Sequence, residues 1–157
     1  MPSLHKEIVR EEGFREALDQ LETAAGTPLV SGEMGNWLEA VQQALTHVLS
    51  VVDHQIQQAH APQLSSIKRE DPEMLRNVDQ LQKEDRLILE ELTAAVARLG
   101  VLKPMVERIE PDEKRAEQAL AAFGENALQL SLRIKKQEVA MRTWLQEAFN
   151  RDRGVAD

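Results

Sequence analysis

The chain contains no cysteine and no tyrosine, and aromatic residues make up only 3% of its 157 positions. Without cysteine there can be no disulfide, thiolate metal site or cysteine nucleophile, and the redox character of the compartment is left open. With so few rings, the core must be built of Leu, Val, Ile, Ala and Met, the material of helical bundles rather than of sheets. No stretch approaches the roughly 18 consecutive apolar residues of a spanning helix, so no membrane partner is expected. The opening Met1-Pro2-Ser3-Leu4 leads into no signal-peptide apolar region, which makes a cytoplasmic protein the expectation. Basic residues are outnumbered, 19 Lys and Arg against 27 Asp and Glu, for a net charge of −8. Such a chain lacks the basic face that a nucleic-acid partner requires. A Gly-rich phosphate loop, a nucleophile elbow and zinc-ligand spacing are also missing.

What is present is helical periodicity. The hydrophobic content of 42% and charged content of 29% fit one globular domain spanning residues 1–157. Ser3 is placed to cap a first helix reaching residue 25, in which Phe14, Leu18, Leu21 and Ala25 share a face with Glu11. A breaker-rich loop follows. Asn36 and Glu39 then suggest the cap of a second helix with the stripe Leu38, Val41, Leu45, Val48, Val52, Ile56 and Ala59, stopped by Pro62 near residue 60. Residues 61–70 read as a polar loop. Asp71-Pro72 opens a third helix ending near Gly100, with the stripe Val78, Leu81, Ile88, Leu92, Val96 and Leu99. Residues 101–110 read as a connector. Pro111-Asp112 opens a fourth helical stretch reaching residue 149, roughly 55 Å if unbroken, with a kink expected near residues 124–126. Residues 150–157 read as a frayed tail. Four amphipathic helices with moderate loops predict an all-α, antiparallel up-down-up-down four-helix bundle.

One residue breaks the pattern. Asp85 lies in the middle of the third stripe, between Leu81 and Ile88, where a carboxylate is costly unless it is paired, bound or wetted.

The fourth-helix run Arg133-Ile134-Lys135-Lys136-Gln137-Glu138 is similar to the His-Ile-x-Lys-Glu-Glu of the hemerythrin-like, HHE cation-binding bundles. Leu81-Gln82-Lys83-Glu84-Asp85 likewise resembles that family's third-helix Leu-x-x-Glu-His, and the stretch from Val52 to Pro62 resembles its second-helix pattern. The family binds two metal ions, usually iron, through inward histidines and glutamates. The resemblance therefore implies a bundle whose ligands have been replaced. Asp85 stands at the third-helix histidine, with Leu89 four residues on. Arg133 and Gln137 stand at the fourth-helix pair, Glu11 at the first-helix histidine, and apolar Val52 and Ile56 at the second-helix pair. Sliding the second helix by two gives His54 and Gln58 instead. Arginine has no lone pair for a metal, and hydrocarbon has none either, so no metal and no cofactor is carried over.

Glu11, Asp85, Arg133 and Gln137 are thus expected at similar depth, with Arg133 pairing with Asp85, Glu11 or both in a core polar layer. The alternatives are a bundle edge where Asp85 or Glu11 reaches water, or a weak residual cation or small-ligand site. The functional expectation is a non-enzymatic module for interaction, sensing or regulation, working through a protein partner or a small ligand. The competing expectation is a metal-dependent oxygen-binding or redox bundle with unusual ligands drawn from Glu11, His54, Asp85 and Glu138.

Overall fold

The computed structural model describes the backbone over residues 4–108 and 112–156, and side chains over residues 11–108 and 112–150. Ser3 and Pro111, expected at helix starts, lie outside the described residues. Four long helices dominate: α1 (Leu4–Gly26), α2 (Met34–Gln55), α4 (Leu75–Glu107) and α5 (Glu113–Ala156), with a shorter α3 (Ala61–Glu70). A π-helical turn, Ile56–His60, joins α2 to α3, and a 3₁₀ turn, Pro72–Met74, leads into α4. No strand occurs among the described residues. The long helices form a ring in which α1 lies against α2 and α5, and α4 against the same two, giving a bundle-like all-helical body.

Several helix ends fall elsewhere than the sequence suggests. α2 begins at Met34, one turn early, and Asn36 donates to the Glu33 carboxylate from inside the first turn. Residues 61–70 are helix rather than loop, because Leu64 is fully buried and the π turn accommodates Pro62. Proline lacks an N–H, and its ring collides with the carbonyl four residues back in a regular α-helix. In the wider turn the Ala61 N–H instead reaches Ile56 O, five residues back.

α4 likewise runs through Gly100 and Pro104 to Glu107. An interior proline costs about 3 kcal/mol or more. Burying a leucine side chain returns about 1.5–3 kcal/mol, and both Leu99 and Leu102 are buried here. Leu102 beyond Gly100, and the half-buried Met105 and Val106 beyond Pro104, pack against the core and offset the breakers. α5 continues past residue 149 to Ala156, so residues 150–156 are helical. Asp112 caps α5, its carboxylate accepting from Arg115 N at 3.2 Å, and Asp71 caps the 3₁₀ turn through Glu73 N at 3.2 Å.

α5 is continuous helix through Gly124, the position of the expected kink. Gly124 serves close approach there. The Trp37 indole lies so near that an added Cβ would sit 2.9 Å from Cζ2, and the Trp37 Nε1–H is held by Thr27 O at 2.9 Å.

The buried apolar residues fall into two clusters. The larger runs through α1, α2, α4 and α5 and includes Leu21, Val41, Leu45, Ile88, Leu92 and Ile134. The smaller joins Leu64, Val78, Leu81 and Met141. Between them lies a polar layer.

Candidate functional site

Four described side chains are both buried and polar, and three of them meet: His60, Asp85 and Gln137. Each occupies the gap between the two apolar clusters on its own element. His60 falls between Ile56 and Leu64, Asp85 between Ile88 and Leu81, and Gln137 between Ile134 and Met141.

His60 enters the core because of the π turn. An unbroken α-helix from Val52 would give Ala59 the inward position. The extra residue in the turn advances the inward face, so that His60 and then Leu64 point inside, at 3% and 1% exposure. Ala59 is only half-buried.

Carboxylates flank the imidazole on both sides. Nδ1 lies 3.0 Å from Asp85 Oδ2 in a hydrogen bond, and Nε2 lies 2.8 Å from Glu138 Oε1. The second contact meets the distance of an ion pair but not the alignment of a hydrogen bond, so Glu138 is held by charge rather than by direction. On the far side of Asp85, Gln137 Nε2 donates to Oδ1 at 3.0 Å and to Leu81 O at 2.9 Å. Burial alone would push the His60 pKa down. The two carboxylates outweigh it and raise the value to about 9, so the ring is an imidazolium at neutral pH.

Of the residues singled out from the sequence, the structure brings Asp85 and Gln137 together and places Glu11 and Arg133 elsewhere. Glu11 is exposed, its side chain 61% accessible, and its nearest cation is Arg142 at 3.9 Å. Arg133 does not reach Asp85. Its guanidinium makes a two-pronged contact with Glu84 and a further one with Glu91, at the half-buried edge of the α4–α5 seam. Arg133 holds the Glu84 carboxyl below its usual pKa range. Val52 is buried and Ile56 half-buried, both packed in the larger apolar cluster. His54 is exposed on α2. Glu11 and His54 therefore do not converge with Asp85 and Glu138.

The arrangement does not fit a di-metal centre. Ligation by histidine needs a neutral ring with a free lone pair. Both nitrogens of His60 face carboxylates, and Gln137 turns its amide N–H toward Asp85. Among the described residues, no group of three or more His, Asp and Glu has the disposition to hold a metal ion. The cluster can instead store one proton and tie three elements together electrostatically.

Beside it lies a cleft of ≈ 550 Å³ between α1, the π turn and α5. Phe14, Leu18, Met141 and Leu145 supply apolar wall, and Gln55, His60 and Glu138 supply polar wall. No helix among the described residues is long and apolar enough to cross a membrane. No family model matches the chain, and no curated protein or solved structure shows significant similarity to it.

Proposed function

We propose that the chain is an antiparallel up-down-up-down bundle of hemerythrin-like kind in which a buried imidazolium–carboxylate cluster stands where that family holds metal. We further propose that it serves in the cytoplasm as a non-enzymatic module for interaction, sensing or regulation. The antiparallel reading is supported by the register of cross-helix pairs. Along α1 and α5 the partners run Glu11 with Arg142, Asp19 with Lys135, and Glu22 with Ser131, one number rising as the other falls. Along α4 and α5, Leu81 O meets Gln137 and Glu91 meets Arg133.

The reading that metal has been lost is supported by His60, an inward histidine that two carboxylates at 3.0 and 2.8 Å keep protonated, so that it has no free lone pair, and by the lack among the described residues of three His, Asp or Glu disposed to hold an ion. Asp85 and Gln137, at two positions where the resemblance implies ligands, are joined to each other directly. An amide N–H donating to a carboxylate crosslinks α4 and α5 without an ion.

Elemental analysis and an absorption spectrum of protein produced in iron-supplemented cells test this reading. The expected result is iron far below one equivalent and no visible oxo-iron band. Stoichiometric iron with such a band overturns it and restores the metal-dependent alternative.

A further inference from the structure

The His60 cluster is closed toward the core and open toward the cleft. Glu138, with a side chain 21% exposed, stands at that opening together with Gln55. On this wall His60 Nε2 is answered by the Glu138 carboxylate at 2.8 Å, but the buried Gln55 Oε1 has no hydrogen-bond partner. Buried polar atoms left unpaired are rare in folded proteins, and those facing a cavity point to what the cavity takes. Gln55 Oε1 can only accept, so its missing partner must be a donor.

Charge gives the same answer. Behind the wall, Asp85 and Glu138 face a single imidazolium, which leaves the cluster net negative. Two of the three cations lining the cleft are answered, Lys135 by Glu22 at 2.6 Å and Arg142 by Glu11 at 3.9 Å; the third is Arg15. The chain as a whole carries −8, which draws cations toward it. Apart from Asp19 and Gln63 the remaining wall is hydrocarbon, and the volume of ≈ 550 Å³ lies in the range of small-ligand sites.

We propose that this cleft binds a small organic ammonium ion with an apolar body, its N–H groups donating to Gln55 Oε1 and the Glu138 carboxylate. The hydrocarbon part lies against Phe14, Leu18 and Met141. A carboxylate of the same shape meets an acceptor and a net negative cluster instead, and is rejected. The proposal gives the module a ligand class and rests on the reading that the cluster holds no metal.

The test is calorimetric titration of the full chain, assayed for metal beforehand, with n-hexylammonium and with hexanoate as a matched control. Binding is followed in parallel by the imidazole resonances of His60. Metal in the sample is a failure of the earlier reading, whereas metal-free protein that ignores the amine is a failure of this one. The expected result is saturable amine binding that shifts the His60 signals, with hexanoate at least about tenfold weaker. Gln55→Leu and Glu138→Gln should each weaken the amine about tenfold, the loss of one charge-assisted hydrogen bond. Ala59→Phe, which fills the cleft without changing charge, should abolish binding. If Glu138→Gln fails to fold by circular dichroism, the other two variants decide. Absent amine binding, equal binding of hexanoate, or amine binding that survives Gln55→Leu and Ala59→Phe overturns the proposal.

Discussion

Two charged clusters sit side by side where α5 packs on its neighbours, built from residues adjacent in sequence. Glu84 belongs to one and Asp85 to the other, and Arg133 and Gln137 are a single helical turn apart. Arg133, Glu84 and Glu91 meet at the edge, with side chains about one-third to one-half exposed. His60, Asp85 and Gln137 are buried between two apolar clusters. Turning one residue along α4, about 100°, separates a carboxylate at the half-buried edge from one in the core. The geometry of the outer cluster is the better of the two, with a guanidinium fork matched to a carboxylate. Its energetic weight is nevertheless smaller, because water competes for every group in it.

The largest effect should follow from removing the buried carboxylate. Asp85→Leu leaves the buried imidazolium with only the misaligned Glu138 carboxylate and should lower unfolding free energy in urea by about 3–5 kcal/mol. Adding His60→Met should recover most of that loss, because Glu138 can turn into the cleft. If the two losses add instead, the buried pair is not coupled.

Next comes pH. The folded His60 pKa of about 9 lies above the ordinary value of 6.5, so the proton is bound more tightly in the folded state. The resulting stability is fully present below pH 6.5 and is lost as the pH rises through 9. At about 1.4 kcal/mol per pKa unit, the change amounts to a few kcal/mol in denaturant titrations across that window. His60→Met should flatten the profile there. A wild-type profile already flat between these limits would break the distinction between buried and exposed clusters.

Gln137→Leu removes the amide that serves Asp85 Oδ1 and should cost about 1–3 kcal/mol, measured by urea denaturation. A neutral outcome would mean that water reaches Asp85. The smallest effect belongs to the outer cluster, where Arg133→Met should cost less than about 1 kcal/mol and shrink further in high salt. It should add independently to Asp85→Leu, since the two residues share no partner. A loss of several kcal/mol at Arg133, insensitive to salt, would reverse the ranking.

The apolar stripes of α2 and α4 are legible in the sequence because a 3.6-residue period survives wherever the backbone stays α-helical. Asp85 stands out for the same reason, as a charge at a position whose neighbours are all buried. What sequence periodicity misses is His60. A regular helix ending before Pro62 puts that residue at an exposed helix end, and only the π turn brings it inside. The signal is present but easily passed over: Val52, Ile56, His60 and Leu64 are spaced by four, longer than an α-helical stripe keeps in phase, and the slip coincides with a proline. The same uniform period favours Arg133 as the partner of Asp85. Arg133 is one residue off the buried Ile134, enough to send a long side chain to the edge, where Glu84 and Glu91 wait. Breakers mislead at Gly100 and Pro104 because local propensity says nothing about Leu102, Met105 and Val106, whose packing against the core carries α4 through them.

The protonation state of His60 bears most directly on the idea that a charged cluster has taken the place of a metal. Nitrogen-15 spectra of the histidine side chains, collected from pH 6 to pH 10, report whether one or both ring nitrogens carry hydrogen. Both His60 nitrogens should remain protonated at pH 7.5, with a midpoint near 9 that falls on substitution of Asp85. A neutral ring at pH 7.5 with one bare nitrogen, or a nitrogen shifted by a bound metal, would contradict it.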